Sequence, residues 1–101
     1  MDKCSWLNQE FDVHQHGAAW NDVPGIYIFC GVTAQNQWSP FYIGQADSLA
    51  GRLSSHERWQ EASRLGATHI HAIVVPQAAA RDALEAQLIQ AYQPRLNIRL
   101  K

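Results

Sequence analysis

The spacing of apolar positions changes several times along this chain, and each change marks an element. From Gly25 to Gly31 the run Gly-Ile-Tyr-Ile-Phe-Cys-Gly is β-branched or aromatic and bounded by glycines, which predicts a buried strand. A second strand is expected from about Trp38 to Gly44, with Pro40 confining its first part to a sheet edge. The two are joined by a loop, Thr33 to Ser39, so an antiparallel hairpin is the simplest pairing. Thr68 to Val75, rich in Ile and Val and closed by Pro76, predicts a third strand.

Between the second and third strands the period lengthens. Asp47 or Ser48 is placed to cap a helix that runs to about Arg64 and ends at Gly66. Leu49 and Leu53 form its apolar stripe, and Arg52 and His56 lie one helical turn apart beside it. Ala78 to Tyr92 is rich in alanine and leucine and predicts a second helix, stopped by Pro94. Its buried face is expected to hold Leu84, Leu88, Ile89 and Tyr92, with Glu85 in the middle of that face. A carboxylate there is costly unless paired, hydrogen-bonded or holding a metal ion. Two readings stand open: a shielded ion pair with Arg81 one turn back, or a functional group.

Residues 1–23 carry isolated aromatics, Trp6, Phe11 and Trp20, without a sustained period, and read as an N-terminal arm packing on a domain of residues 24–101. The expected class is α+β, a small three-stranded antiparallel sheet packed with two main helices. At 101 residues there is material for one core.

Composition narrows the function. Hydrophobic residues make up 47% and charged residues 17%, too apolar for disorder and too interrupted for a membrane span. The first residues lack a basic start followed by an apolar run, so a cytoplasmic setting is expected. Cys4 and Cys30 stand alone and read as reduced and incidental. The pairs His14 with His16 and His69 with His71 have no cysteine or carboxylate at ligand spacing, and read as strand or surface histidines rather than a zinc site.

The formal net charge of −1 implies at most a small or local contact with a phosphate backbone. Basic residues gather at Arg52, Arg58 and Arg64, and again at Arg95, Arg99 and Lys101.

Several side chains suit phosphodiester cleavage, which needs an activated water and neutralised phosphoryl charge. Glu85 can hold a divalent ion whose shell waters complete, a habit of Mg²⁺. Arg52 can grip a phosphate bidentately. A tyrosine with an ordinary pKa of about 10 is a poor base unless a neighbour takes its proton or stabilises the phenolate, and His56 can assist Tyr27 in that way. Tyr42 can hydrogen-bond the attacking water or a phosphate oxygen. Taken singly, such residues are more often a core tyrosine, a snorkelling arginine or a packed histidine.

Their order is more specific. Pro-Gly-Ile-Tyr at 24–27, Phe-Tyr-Ile-Gly-Gln-Ala at 41–46, Leu49-x-x-Arg52-Leu53-x-x-His56, Leu84-Glu85 and Leu96-Asn97 resemble the successive motifs of the GIY-YIG nuclease family, from Pro24 to about Asn97. The resemblance implies a Mg²⁺- or Mn²⁺-dependent endonuclease, with Tyr27 the general base or water-activating phenol and Tyr42 the second site tyrosine. It also implies Arg52 as phosphate clamp, Glu85 as metal ligand and Asn97 as a supporting polar group. His56 matches the restriction-enzyme-like members, and Gly44, Gln45 and Arg58 join Arg52 as candidate nucleic-acid contacts. Gln45 departs from the lysine of repair-nuclease members, which favours activation through His56, and the loop from Gly31 to Pro40 is long for the family.

DNA is the expected partner and RNA stays open, with a protein partner or homodimer supplying specificity that a single domain lacks. Low-specificity or structure-dependent cleavage is expected. The alternative is a non-catalytic nucleic-acid-binding or protein-interaction module of the same fold.

Overall fold

A computed structural model describes residues 2–97; Arg99 and Lys101 of the second basic group lie outside the described residues. The elements are β1 (Lys3–Trp6), β2 (Gln9–Gln15), β3 (Gly25–Val32), β4 (Trp38–Ala46), α1 (Leu49–Leu53), α2 (Trp59–Leu65), β5 (His69–Val74) and α3 (Ala78–Tyr92). The strands form a single sheet in the order β1-β2-β5-β3-β4, every neighbouring pair antiparallel.

Five strands therefore replace the three expected, and three helices replace the two. The extra strands come from a hairpin at the N-terminus. Leu7 and Asn8 both take positive φ, 51° and 64°, the backbone a two-residue hairpin turn requires. Lys3–Trp6 and Gln9–Gln15 then pair, and β2 docks on β5. The alternation that builds β2 is short, with only Phe11 buried outright and the other residues half-buried or exposed.

The long helix expected from Asp47 or Ser48 to Arg64 is broken. Ser48 caps α1, its hydroxyl accepting from the Gly51 amide at 3.0 Å. The helix stops at Leu53, and residues 54–58 turn before α2 begins. In that turn the His56 ring accepts the Arg58 amide at 3.0 Å, and the His56 carbonyl accepts from the Trp59 amide at 3.1 Å. A side chain that takes a nearby backbone amide competes with helical bonding. The break lets Leu49 and Leu53 on one side and Ala62 on the other all reach the core. Gly66, at φ 121°, ends α2 as expected of a glycine.

The sheet is covered on both faces. Tyr27, Phe29, Ile70 and Ala72 pack with Leu49, Leu53 and Ala62 on the face of α1 and α2. Ile26, Ile28, Cys30 and Ile43 pack with Trp6, Phe11 and Leu88 of α3 on the other. Tyr92, expected to be buried, is instead exposed at the end of α3; its ring meets Trp6 edge-on at 5.0 Å and its hydroxyl accepts from the Leu7 amide. Cys4 and Cys30 are free thiols. Among the described residues no helix is long and apolar enough to cross a membrane.

Candidate active site

The β3–β4 register places the two tyrosines diagonally. Tyr27 lies opposite Gly44 and Tyr42 opposite Phe29, so both phenols project on the α1–α2 face with ring centroids 6.3 Å apart. A Cβ at Gly44 would run into the Tyr27 phenol, so a glycine there lets that ring lie across the neighbouring strand. Gly25, two residues before Tyr27, admits a close backbone neighbour instead: a Cβ there would strike the Ile73 carbonyl of β5.

Tyr27 is only 1% exposed, and its hydroxyl lies 2.8 Å from Nε2 of His56. His56 reaches it from the turn between α1 and α2, not from a helix, and its ring stands edge-on to Tyr27, Phe29 and Tyr42. Burial, and after it the Arg52 charge, hold His56 down at about 4, so the ring is neutral at neutral pH. Its Nδ1 accepts the Arg58 amide, which assigns the single ring proton to Nε2. His56 is thus a donor to the Tyr27 oxygen.

Burial pushes the Tyr27 phenol well above its ordinary value, with Tyr42 and Glu85 adding to the rise and Arg52 working against it. Four of the sequence-selected side chains therefore act on one phenol. Arg52 itself is occupied: its guanidinium makes a two-pronged pair with Glu57, both N–H···O distances 2.9 Å. That pairing raises Arg52 further and brings Glu57 down to about 2.

Glu85 is half-buried on α3, and the ion pair with Arg81 is absent. Arg81 turns to Asp47 at 2.7 Å and to the carbonyls of Val75 and Pro76, tying α3 to the ends of β4 and β5. Glu85 instead accepts from the Gln45 amide at 2.8 Å, and the same nitrogen reaches Asp82 at 2.7 Å. Gln45 thus turns toward α3, one residue beyond Gly44, whose backbone is buried beneath Tyr27. Arg58 is half-buried and paired with Glu61 at 2.7 Å.

Asn97 lies apart from the phenols. Its side chain completes the free edge of β4, Oδ1 accepting from the Ile43 amide at 2.7 Å and Nδ2 donating to the Ile43 carbonyl at 2.8 Å. It covers an otherwise open strand edge and fixes the segment after α3 there. Glu57 and Asp82 were not singled out in the sequence. An acidic residue directly after His56 is a signal for the first; nothing local distinguishes the second.

Glu85 offers a single carboxylate with Oε1 held by Gln45. Among the described residues no cluster of three or more His, Cys, Asp or Glu could hold a metal ion, so a ligand set for zinc is lacking here, and the histidine pairs are spent on aromatic and buried contacts. A single half-buried carboxylate fits an ion that keeps most of its waters.

No family model matches the chain. It is 39% identical over 82 residues to UvrABC system protein C of Thermotoga maritima, and 35% identical over 85 residues to the protein of that name from Chlamydia trachomatis serovar D. The chain spans 14% of the length of these curated relatives, while 77% of the chain is matched. Among solved structures it resembles the GIY-YIG N-terminal endonuclease domain of UvrC from Thermotoga maritima bound to its catalytic magnesium, with 32% identity and a TM-score of 0.62, covering 78% of this chain and 88% of that one. An asparagine-to-alanine mutant of that domain with its divalent cation matches at 30% identity and a TM-score of 0.64, covering 79% and 88%.

Proposed function

The chain belongs to the GIY-YIG endonuclease domain family, and from that premise we propose that it is a divalent-metal-dependent DNA endonuclease whose chemistry resides in residues 24–101. The observation that carries the reading is the Tyr27 hydroxyl at 2.8 Å from His56 Nε2, with the charges of Arg52 and Glu85 both reaching that phenol.

The chemistry follows from proton positions. Tyr27 must release its own proton to solvent before it can take one from the attacking water, and burial opposes this. Two neighbours favour the phenolate: the Nε2–H of His56, and the Arg52 guanidinium. Because Nδ1 of His56 is already taken by the Arg58 amide, His56 steadies the phenolate rather than accepting the phenol's proton. Tyr42, half-buried on the same face, is placed to orient the water or a phosphate oxygen. Arg52 grips the scissile phosphate once Glu57 gives way, since carboxylate and phosphate offer the guanidinium the same fork of oxygens. Glu85, oriented by Gln45, would hold Mg²⁺. Bound there, the ion supplies neutralisation of developing charge and acidification of its waters.

Modest affinity and weak sequence preference agree with the surface. The net charge is −1, and Lys3, Arg52, Arg58 and Arg81 are each engaged by an acidic partner. We assign target selection to DNA structure or to a partner protein.

The test is incubation with supercoiled plasmid, branched DNA and RNA, with Mg²⁺ or EDTA, beside Glu85→Ala and Tyr27→Phe. Mg²⁺-dependent DNA cleavage absent from both variants is the expected result. No cleavage in any sample would move the assignment to a non-catalytic binding module, and cleavage of RNA alone would change the substrate.

A further inference from the structure

Next to the catalytic turn lies a cavity of about 190 Å³ whose wall includes His56 itself. Phe29, Leu53 and Ile70 contribute apolar groups to it, and Ser54, Ser55 and Gln60 hydrogen-bonding ones. Its other aromatic wall is a flat stack: the His16 imidazole lies on the Trp59 indole with centroids 4.3 Å apart and planes 2° from parallel. Trp59 is fixed from another side, where Phe29 meets it edge-on at 5.0 Å.

The two stacked partners differ in how they are held. Trp59 is half-buried and packs on the core, whereas His16 is exposed. His16 follows the last residue of β2 and precedes Gly17, whose φ of 92° favours glycine and which has open space around it. The imidazole is a small planar heterocycle that can leave the indole face without disturbing the sheet.

Resting on the nuclease reading above, we infer that Trp59 is a stacking platform for one unpaired nucleobase of the DNA strand being cut, and that His16 holds the base's place until DNA arrives. Stacking of a base on an aromatic ring tolerates any sequence, because every base has a π-face, and it selects for bases free of pairing. An enzyme that takes a base from the duplex favours sites where unpairing is already complete. Ser54, Ser55 and Gln60 are positioned to meet the polar edge of such a base. The shared wall of His56 sets the base beside the phosphodiester that Tyr27 faces. Structure-dependence then has a physical origin, an unpaired nucleotide next to the scissile bond.

The test uses the full chain carrying Glu85→Gln, so that binding is read without cleavage. Its affinity is measured for three duplexes of one sequence: fully paired, with a single bulged 2-aminopurine, and with an abasic bulge. The expected result is about tenfold tighter binding to the base-bearing bulge than to either other duplex, with 2-aminopurine quenched on binding. Adding His16→Ala should keep or increase that preference, because a competitor for the indole face is gone. Trp59→Ala should remove it and Trp59→Phe should keep part of it, with thermal melts confirming that each variant folds.

Equal binding to the base-bearing and abasic bulges overturns the inference without recourse to any core variant. So does a preference that His16→Ala abolishes, or one that persists in a folded Trp59→Ala. The nuclease reading fails separately, if the chain with Glu85 intact cuts no DNA in Mg²⁺.

Discussion

His56 and His71 sit on opposite faces of the sheet with almost the same local chemistry and different consequences. Burial brings each down to about 4. Each accepts an N–H on Nδ1, His56 from the Arg58 amide at 3.0 Å and His71 from the Trp6 indole at 2.9 Å. Each therefore carries its proton on Nε2. The difference is what Nε2 faces. For His56 it is the Tyr27 hydroxyl, whereas His71 is 0% exposed beside the edge of Trp38 and its Nε2 lacks a hydrogen-bond partner among the described residues. A depressed histidine marks burial, and only the group at its other nitrogen makes it chemistry.

The largest effect that can break this contrast belongs to the phenol. Tyr27→Phe should lower the DNA cleavage rate by about 10²–10⁴-fold while leaving the melting temperature close to that of the parent, checked by single-turnover cleavage beside a thermal melt. Near-parental cleavage would leave His56 bonded to a merely structural tyrosine.

His56→Leu comes next, with an expected loss of about 10²-fold in rate per folded molecule beside a stability cost of about 1–3 kcal/mol, because the Tyr27 hydroxyl and the Arg58 amide lose their partner. His71→Leu should cost stability alone. It leaves the Trp6 N–H without its acceptor and should lower unfolding free energy by about 1–3 kcal/mol with the rate per folded molecule unchanged, read by urea denaturation and active-site titration. If both variants lost only stability, the two histidines would be equivalent and the site assignment would fall.

Acid offers a sharper version. An ordinary histidine protonates near 6.5, while His71 in the fold resists down to about 4, so in that window the unfolded chain binds a proton that the fold refuses. Stability is therefore intact above pH 6.5 and falls as the pH drops toward 4, by about 3 kcal/mol from His71 at 1.36 kcal/mol per unit. Denaturation midpoints from pH 7 to pH 4 should show this slope on top of the one from His56, which is depressed over the same window, and His71→Leu should make the combined slope shallower without abolishing it.

The smallest expected effect tests Arg52. Glu57→Gln removes the carboxylate that occupies the guanidinium and should tighten DNA binding by about 2–5-fold at low salt, a small effect because the pair is exposed and screened by solvent. Weaker binding would make Glu57 an aid to the site rather than a competitor.

Much of the fold was legible from local signals. Glycine and proline boundaries, the Ser48 cap, the Gly66 stop and the alanine-rich helix lie within a few residues of what they specify, and β3, β4, β5 and α3 formed close to where those signals put them. β1 and β2 were not legible, because a short hairpin with one fully buried residue in β2 draws its support from β5, far along the chain. The helix break was missed for a related reason: Ser54 to Arg58 has no proline or glycine, and the turn is held by the bond of His56 to Arg58 and by the pull of Tyr27 on the same ring.

By itself the amino-acid sequence determined the order of β3, β4, β5 and α3 and the presence of the two tyrosine motifs, Arg52, His56 and Glu85, because periodicity, caps and composition act over one or two turns of chain. Only the tertiary structure decided what each group faces. Tyr27 meets His56 across 29 residues, Gln45 meets Glu85 across 40, and Asn97 closes the β4 edge across 54. Strand register set Tyr27 against Gly44, and folding turned Arg81 to Asp47, leaving Glu85 to Gln45. Partners so distant in sequence are selected by the packing of the whole core, a global balance to which no short segment holds the key.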